Sequence, residues 1–113
     1  MDLNKIWNKF KNDKNFKEFI LQWLHHNYCY SDGSIFYYTK IDEFKKGIFK
    51  NSILYKVIVT AILSYTTSEK KLKTLFLKGI ITAKEYEHIF YCFAMRVPLE
   101  NKYIELLTKH KKL

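Results

Sequence analysis

Apolar residues recur at helical spacing along most of this chain. Leu3, Ile6, Trp7 and Phe10 follow the i, i+3, i+4, i+7 pattern, with Lys5 and Lys9 on the other side, and predict an amphipathic helix. Phe16, Phe19, Ile20, Trp23 and Leu24 predict a second, for which Asn12-Asp13 supply an N-cap. The helical pattern fails after His26. Asn27 to Ser31, Asp32-Gly33 and Ser34 to Thr39 read as a small hairpin, because Asp-Gly between aromatic and β-branched runs favours a tight turn. A loop leading into a helix is the alternative. Thr39 or Asp42 starts a short helix through Phe44, Ile48 and Phe49, weakened by Gly47.

The strongest stripe follows. Ile53, Leu54, Val57, Ile58, Ala61, Ile62 and Tyr65 predict the central core helix, capped by Asn51-Ser52. Its β-branched run from Val57 to Thr60 argues for strand, but the length of the stripe favours helix. Thr67-Ser68-Glu69 opens another helix, with Leu72, Leu75 and Phe76 inward and Gly79 at its end. Thr82-Ala83-Lys84-Glu85 is a capping box, in which threonine and glutamate each accept the other's backbone amide. The helix it opens carries Tyr86, Ile89, Phe90, Phe93 and Ala94. Pro98 ends that helix and suits the first turn of a final one holding Leu99, Tyr103, Leu106 and Leu107. These elements predict a single helical domain over 1–113. It is mainly α, a compact bundle of five or six helices, with or without one small β-hairpin near residues 27–39.

One stretch resembles a known class. Leu72, Leu75-Phe76, Gly79-Ile80-Ile81-Thr82, Glu85-Tyr86 and Ile89 resemble the SHOCT-type short helical hairpins of bacterial and mobile-element proteins. The resemblance implies that Gly79 ends the first helix and that Ile80 and Ile81 pin the turn to the core. It implies no activity. It covers residues 72–89 only, and here a further predicted helix follows.

Charge sharpens the picture. Lys and Arg total 20 against 11 Asp and Glu, a formal net charge of +9, and 18% of residues are aromatic. Excess positive charge selects an acidic partner, and aromatic rings either build a core or stack on bases. All the basic residues except Arg96 are lysines. Lysine holds phosphates as point charges, whereas bidentate reading of guanine edges is the work of arginine. Backbone contacts are therefore expected to outweigh base readout. A lysine-rich composition is also what an AT-rich genome produces whatever the protein does.

The lysines cluster as Lys45, Lys46 and Lys50, as Lys70, Lys71 and Lys73, and as Lys109, Lys111 and Lys112. Tyr28, Tyr30, Phe36, Tyr37 and Tyr38 crowd the predicted hairpin, and Tyr37 and Tyr38 are candidates for stacking. The competing readings are a solvated charged face and rings that cover a small core. His25-His26 point about 100° apart on a helix and do not chelate one ion with ease. No phosphate-binding loop, nucleophile elbow or Cys–His nucleophile pattern occurs. Cys29 and Cys92 sit in apolar runs and read as buried free thiols. The longest apolar stretch, Val57 to Leu63, is too short to span a bilayer.

Together these features predict a cytoplasmic, non-enzymatic accessory protein without cofactor or metal. Its expected partner is nucleic acid or a nucleoprotein complex, bound through the lysine clusters with Tyr37 and Tyr38. An inhibitor of a host nucleoprotein, of the kind phages and mobile elements encode, fits the size and charge. The alternative is a protein-interaction module, immunity- or antitoxin-like, that binds an acidic protein surface.

Overall fold

The computed structural model describes residues 12–28 and 53–110, together with Lys9. Five helices account for 79% of the described residues. That is far above the ~30–35% of an average globular domain and makes the protein mainly α. They are α1 (Lys14–Tyr28), α2 (Ile53–Thr66), α3 (Glu69–Leu77), α4 (Ala83–Met95) and α5 (Asn101–Lys109). No strand occurs among the described residues. Of the predicted hairpin, Asn27 and Tyr28 belong instead to the last turn of α1. The rest of it lies outside the described residues, as do the helix through Phe44 to Phe49 and, Lys9 apart, the helix over Leu3 to Phe10.

α2 is the axis of the bundle and packs against α1, α4 and α5, while α3 packs against α4. Every residue from Val57 to Leu63 is buried, so this helix is enclosed on all sides rather than along one stripe. That burial overrides the β-propensity of Val57-Ile58-Val59-Thr60. An enclosed segment must satisfy its own backbone polar groups, and a helix does so without a neighbouring strand. Each fully buried aliphatic side chain contributes roughly 1.5–3 kcal/mol. Thr60 is the polar residue in this run. Its Oγ1 donates to Lys56 O at 2.5 Å and accepts from Leu99 N at 2.9 Å, which ties the α4–α5 connector to the middle of α2.

α1 lies antiparallel to α2. Asp13 caps α1, its Oδ1 accepting from the amides of Asn15 (2.9 Å) and Phe16 (3.3 Å). Its Oδ2 accepts from the Tyr65 hydroxyl at 3.3 Å, near the far end of α2. Burial, then the Asp13 charge and this hydrogen bond, hold the Tyr65 phenol above its ordinary pKa, so it stays neutral and donates. Phe16 meets Tyr65 edge-on at 5.2 Å. At the other end of α1, Asn27 Nδ2 donates to Trp23 O and, at 3.0 Å, to Arg96 O beyond α4. Arg96 itself takes the left-handed conformation that ends α4, with φ 56°.

The α3–α4 hairpin is built as the sequence predicts. Ser68 caps α3 by accepting from Lys71 N. At the other end Ile80 N donates to Leu75 O and Gly79 N to Phe76 O, both at 3.0 Å, the paired bonds of a Schellman motif. Gly79 has φ +75°, and an added Cβ meets nothing within 4 Å. The capping box is complete, with Glu85 N donating to Thr82 Oγ1 (3.1 Å) and Thr82 N to Glu85 Oε1 (3.0 Å). Ile81 is buried and Ile80 packs against the core. Thr82→Ala should therefore lose about 0.5–2 kcal/mol in urea denaturation. Gly79→Ala should lose about 1–2 kcal/mol from left-handed strain alone, since the space is open. If both variants unfold at the wild-type midpoint, this turn does not hold the hairpin.

Two sequence expectations are corrected here. Phe76 is exposed rather than inward, because α3 turns Leu72 to the core; Phe90 is exposed too, because α4 turns Ile89 and Cys92 inward. Both edges of α4 are apolar, and only packing against α2 decides which edge is covered. Pro98 and Leu99 lie in the connector, since α5 starts at Asn101. Leu99 is nonetheless buried, anchored through its amide on Thr60.

Candidate functional site

Lys70, Lys71 and Lys73 all stand exposed on α3, but they do not share one direction. Successive residues turn by about 100°, so Lys71, Thr74 and Lys78 form one side and Lys70 and Lys73 point further round. That first side borders a groove of about 240 Å³ between α3 and the end of α5. Leu75 and Leu107 supply its apolar surface. Thr67, Thr74, Lys71, Lys78 and His110 supply its polar groups, and no carboxylate lines it among the described residues. Thr74 Oγ1 donates to Lys70 O, which leaves the groove its oxygen as an acceptor.

Of the predicted lysine clusters, Lys71 lines the groove, and Lys109 does not, although its neighbour His110 does. His110 caps α5 immediately after exposed Lys109, so the end of α5 meets the Lys71–Lys78 side of α3. Lys78 was not singled out by the sequence, and His110 was weighed there only with His25, His26 and His88 for metal or acid–base work, not as part of a basic surface. Their signal was present, because cations gather at helix C-termini, where the macrodipole favours them. That same preference is the competing structural explanation for both residues. Lys70, Lys71, Lys73 and Lys78 take part in no ion pair among the described residues. Lys45, Lys46, Lys50, Lys111, Lys112, Tyr37 and Tyr38 lie outside the described residues.

A second surface was missed altogether. Tyr86 lies between Phe76 (6.0 Å) and Phe90 (6.4 Å, ring planes 15° apart), and the three form a row across the α3–α4 hairpin. The sequence assigned these rings to the core stripe because they sit at helical spacing. Periodicity identifies an apolar arc without saying how much of it is covered.

Groups suited to chemistry are few. Cys92 Sγ lies 3.7 Å from His88 Nε2. A nucleophilic thiol needs exposure and a lowered pKa. Cys92 is a free thiol only 1% exposed, and burial, then the Glu100 charge, push its pKa up. It is a packed structural thiol. His25 and His26 are exposed in the last turn of α1. No group of His, Cys, Asp and Glu able to hold a metal occurs among the described residues. No helix among them is long and apolar enough to cross a membrane.

No family model, curated protein or solved structure matches this chain.

Proposed function

We propose that this chain is a small, basic, non-enzymatic accessory protein that binds nucleic acid, or a complex that handles it, through the outer face of α3 and the end of α5. The observation that carries the proposal is the groove bordered by Lys71, Lys78 and His110, with no carboxylate on it among the described residues. Ammonium groups without an acid partner attract phosphate and release its counterions. Lys70 and Lys73 are exposed further round α3, and Lys109 is exposed at the end of α5. Because lysine makes point contacts, the expected binding follows charge and shape rather than sequence. A protein of this size that acts by occupying a site suits the inhibitors that phages and mobile elements direct at host nucleoproteins, anti-CRISPR proteins among them.

Fluorescence anisotropy with labelled single- and double-stranded DNA and RNA tests this. Affinity should fall steeply with salt and vary little with sequence. Lys71→Glu and Lys78→Glu should each weaken binding to all sequences and flatten the logarithmic salt slope by about one. Absence of binding to every probe at low salt overturns the proposal.

A second reading has its own observation. Leu77, Tyr91 and Met95 are more than half exposed, the kind of side chains that anchor protein interfaces. On that reading the chain is an interaction module for an acidic protein surface. A pull-down with and without nuclease separates the two, because a nucleic-acid-bridged partner is lost on digestion.

A further inference from the structure

The exposed side of α3 joins the basic groove to the aromatic row. From the groove side, Lys70 and then Lys73 carry positive charge around the outer surface of the helix, at about 100° per residue. Phe76 comes next, three residues beyond Lys73 and therefore its neighbour on the helix surface. The row continues onto α4 through Tyr86 and Phe90 at ring separations of 6.0 and 6.4 Å. Phe76 and Phe90 remain 38% and 45% exposed. After Glu69 every charged residue of α3 and its cap is lysine. Partly exposed rings beside ammonium groups match a strand whose bases are unpaired: the bases stack and the phosphates meet lysine. A duplex hides its base faces and gains nothing from the rings. Exposed Glu87 adjoins the row on α4, and exposed Glu69 lies one turn before Lys73 on α3.

Building on the nucleic-acid reading above, we infer that Phe76, Tyr86 and Phe90 form a base-stacking platform for single-stranded nucleic acid, its backbone running over Lys70 and Lys73.

The test measures anisotropy of the full chain with three labelled probes: oligothymidylate of about 12 nucleotides, an abasic oligomer of equal length and charge, and a duplex. Oligothymidylate should bind ~5- to 150-fold more tightly than the abasic strand. Phe76→Ala and Phe90→Ala should each remove ~5- to 150-fold of the oligothymidylate affinity and leave abasic and duplex binding unchanged. Phe76→Leu and Phe90→Leu keep an apolar side chain without a ring face and should behave like the alanine variants. Circular dichroism melts confirm that each variant is folded. Lys70→Glu with Lys73→Glu should weaken all three probes. Equal affinity of wild type for the base-bearing and abasic strands, or ring variants that bind oligothymidylate like wild type, overturns the platform. Salt-dependent binding of all three probes would still leave the broader nucleic-acid proposal standing. Failure of wild type to bind any probe overturns both. Ring variants that lose a nuclease-resistant protein partner while keeping strand affinity assign the row to protein contact and also overturn the platform.

Discussion

Trp23→Ala is expected to cost about 3–5 kcal/mol in urea denaturation followed by far-UV circular dichroism. That is a large part of the ~5–15 kcal/mol that holds a typical domain together. Trp23 is 0% exposed, and Phe19 packs beside it with ring centres 6.4 Å apart. Its backbone carbonyl also receives the Asn27 amide that fastens α1 to the end of α4. The side chain itself carries a liability, since Nε1 finds no acceptor among the described residues. Leaving a buried donor unpaired costs about 1–3 kcal/mol. Trp23→Phe removes that donor and keeps most of the ring, so it should cost well under half as much as alanine. A loss below about 1 kcal/mol for alanine would place Trp23 outside the load of the core. Equal losses for alanine and phenylalanine would mean that the indole N–H is usefully paired.

Thr60→Val should destabilise the fold by about 1–3 kcal/mol although it adds apolar surface and hardly changes volume. Valine can neither donate to Lys56 O nor accept from Leu99 N. The first loss is mild, because that carbonyl keeps its place in the helical ladder. The second is severe, because the Leu99 amide is buried and has no water to turn to. The effect should be local as well as global: the Leu99 amide should exchange with solvent faster than its neighbours in α5. A variant as stable as wild type, with Leu99 exchange unchanged, would show that the connector is held by apolar packing alone.

Those two residues mark how far the chain can be read in one dimension. Trp23 is legible, since it falls on the Phe16, Phe19, Ile20, Trp23, Leu24 stripe, and four of those five are buried with Phe19 packed on them. The Asp13 cap, the Gly79 stop and the Thr82–Glu85 box are legible for the same reason. Each is satisfied within a few residues, so local sequence contains all the partners it needs. Thr60 is different. Its role depends on an amide 39 positions away. Nothing near it announces that partner, and its β-branched neighbours suggest a strand.

The candidate site divides in the same way. The lysines of α3 and the end of α5 are visible as clusters, because charge is a property of composition. Helical spacing also puts Lys71 and Lys78 on one side of α3 and turns Lys70 and Lys73 away, but that this side meets His110 of α5 is not visible in the sequence. The row formed by exposed Phe76 and Phe90 with half-buried Tyr86 was hidden by the rule that reveals cores: an apolar residue at helical spacing is assigned inward. α2 is enclosed on all sides and has only so much surface for α4 to cover. It takes Ile89 and Cys92, Tyr86 and Phe93 are half-covered beside them, and Phe90 is left to solvent. Sequence by itself determined the helices, their caps and the positive charge, all of which arise from short-range chemistry or from counting. Tertiary packing alone decided which apolar edge was covered, which helix end the Lys71–Lys78 side met and where the Leu99 amide found its partner, because those depend on surfaces that meet only after the chain has closed on itself.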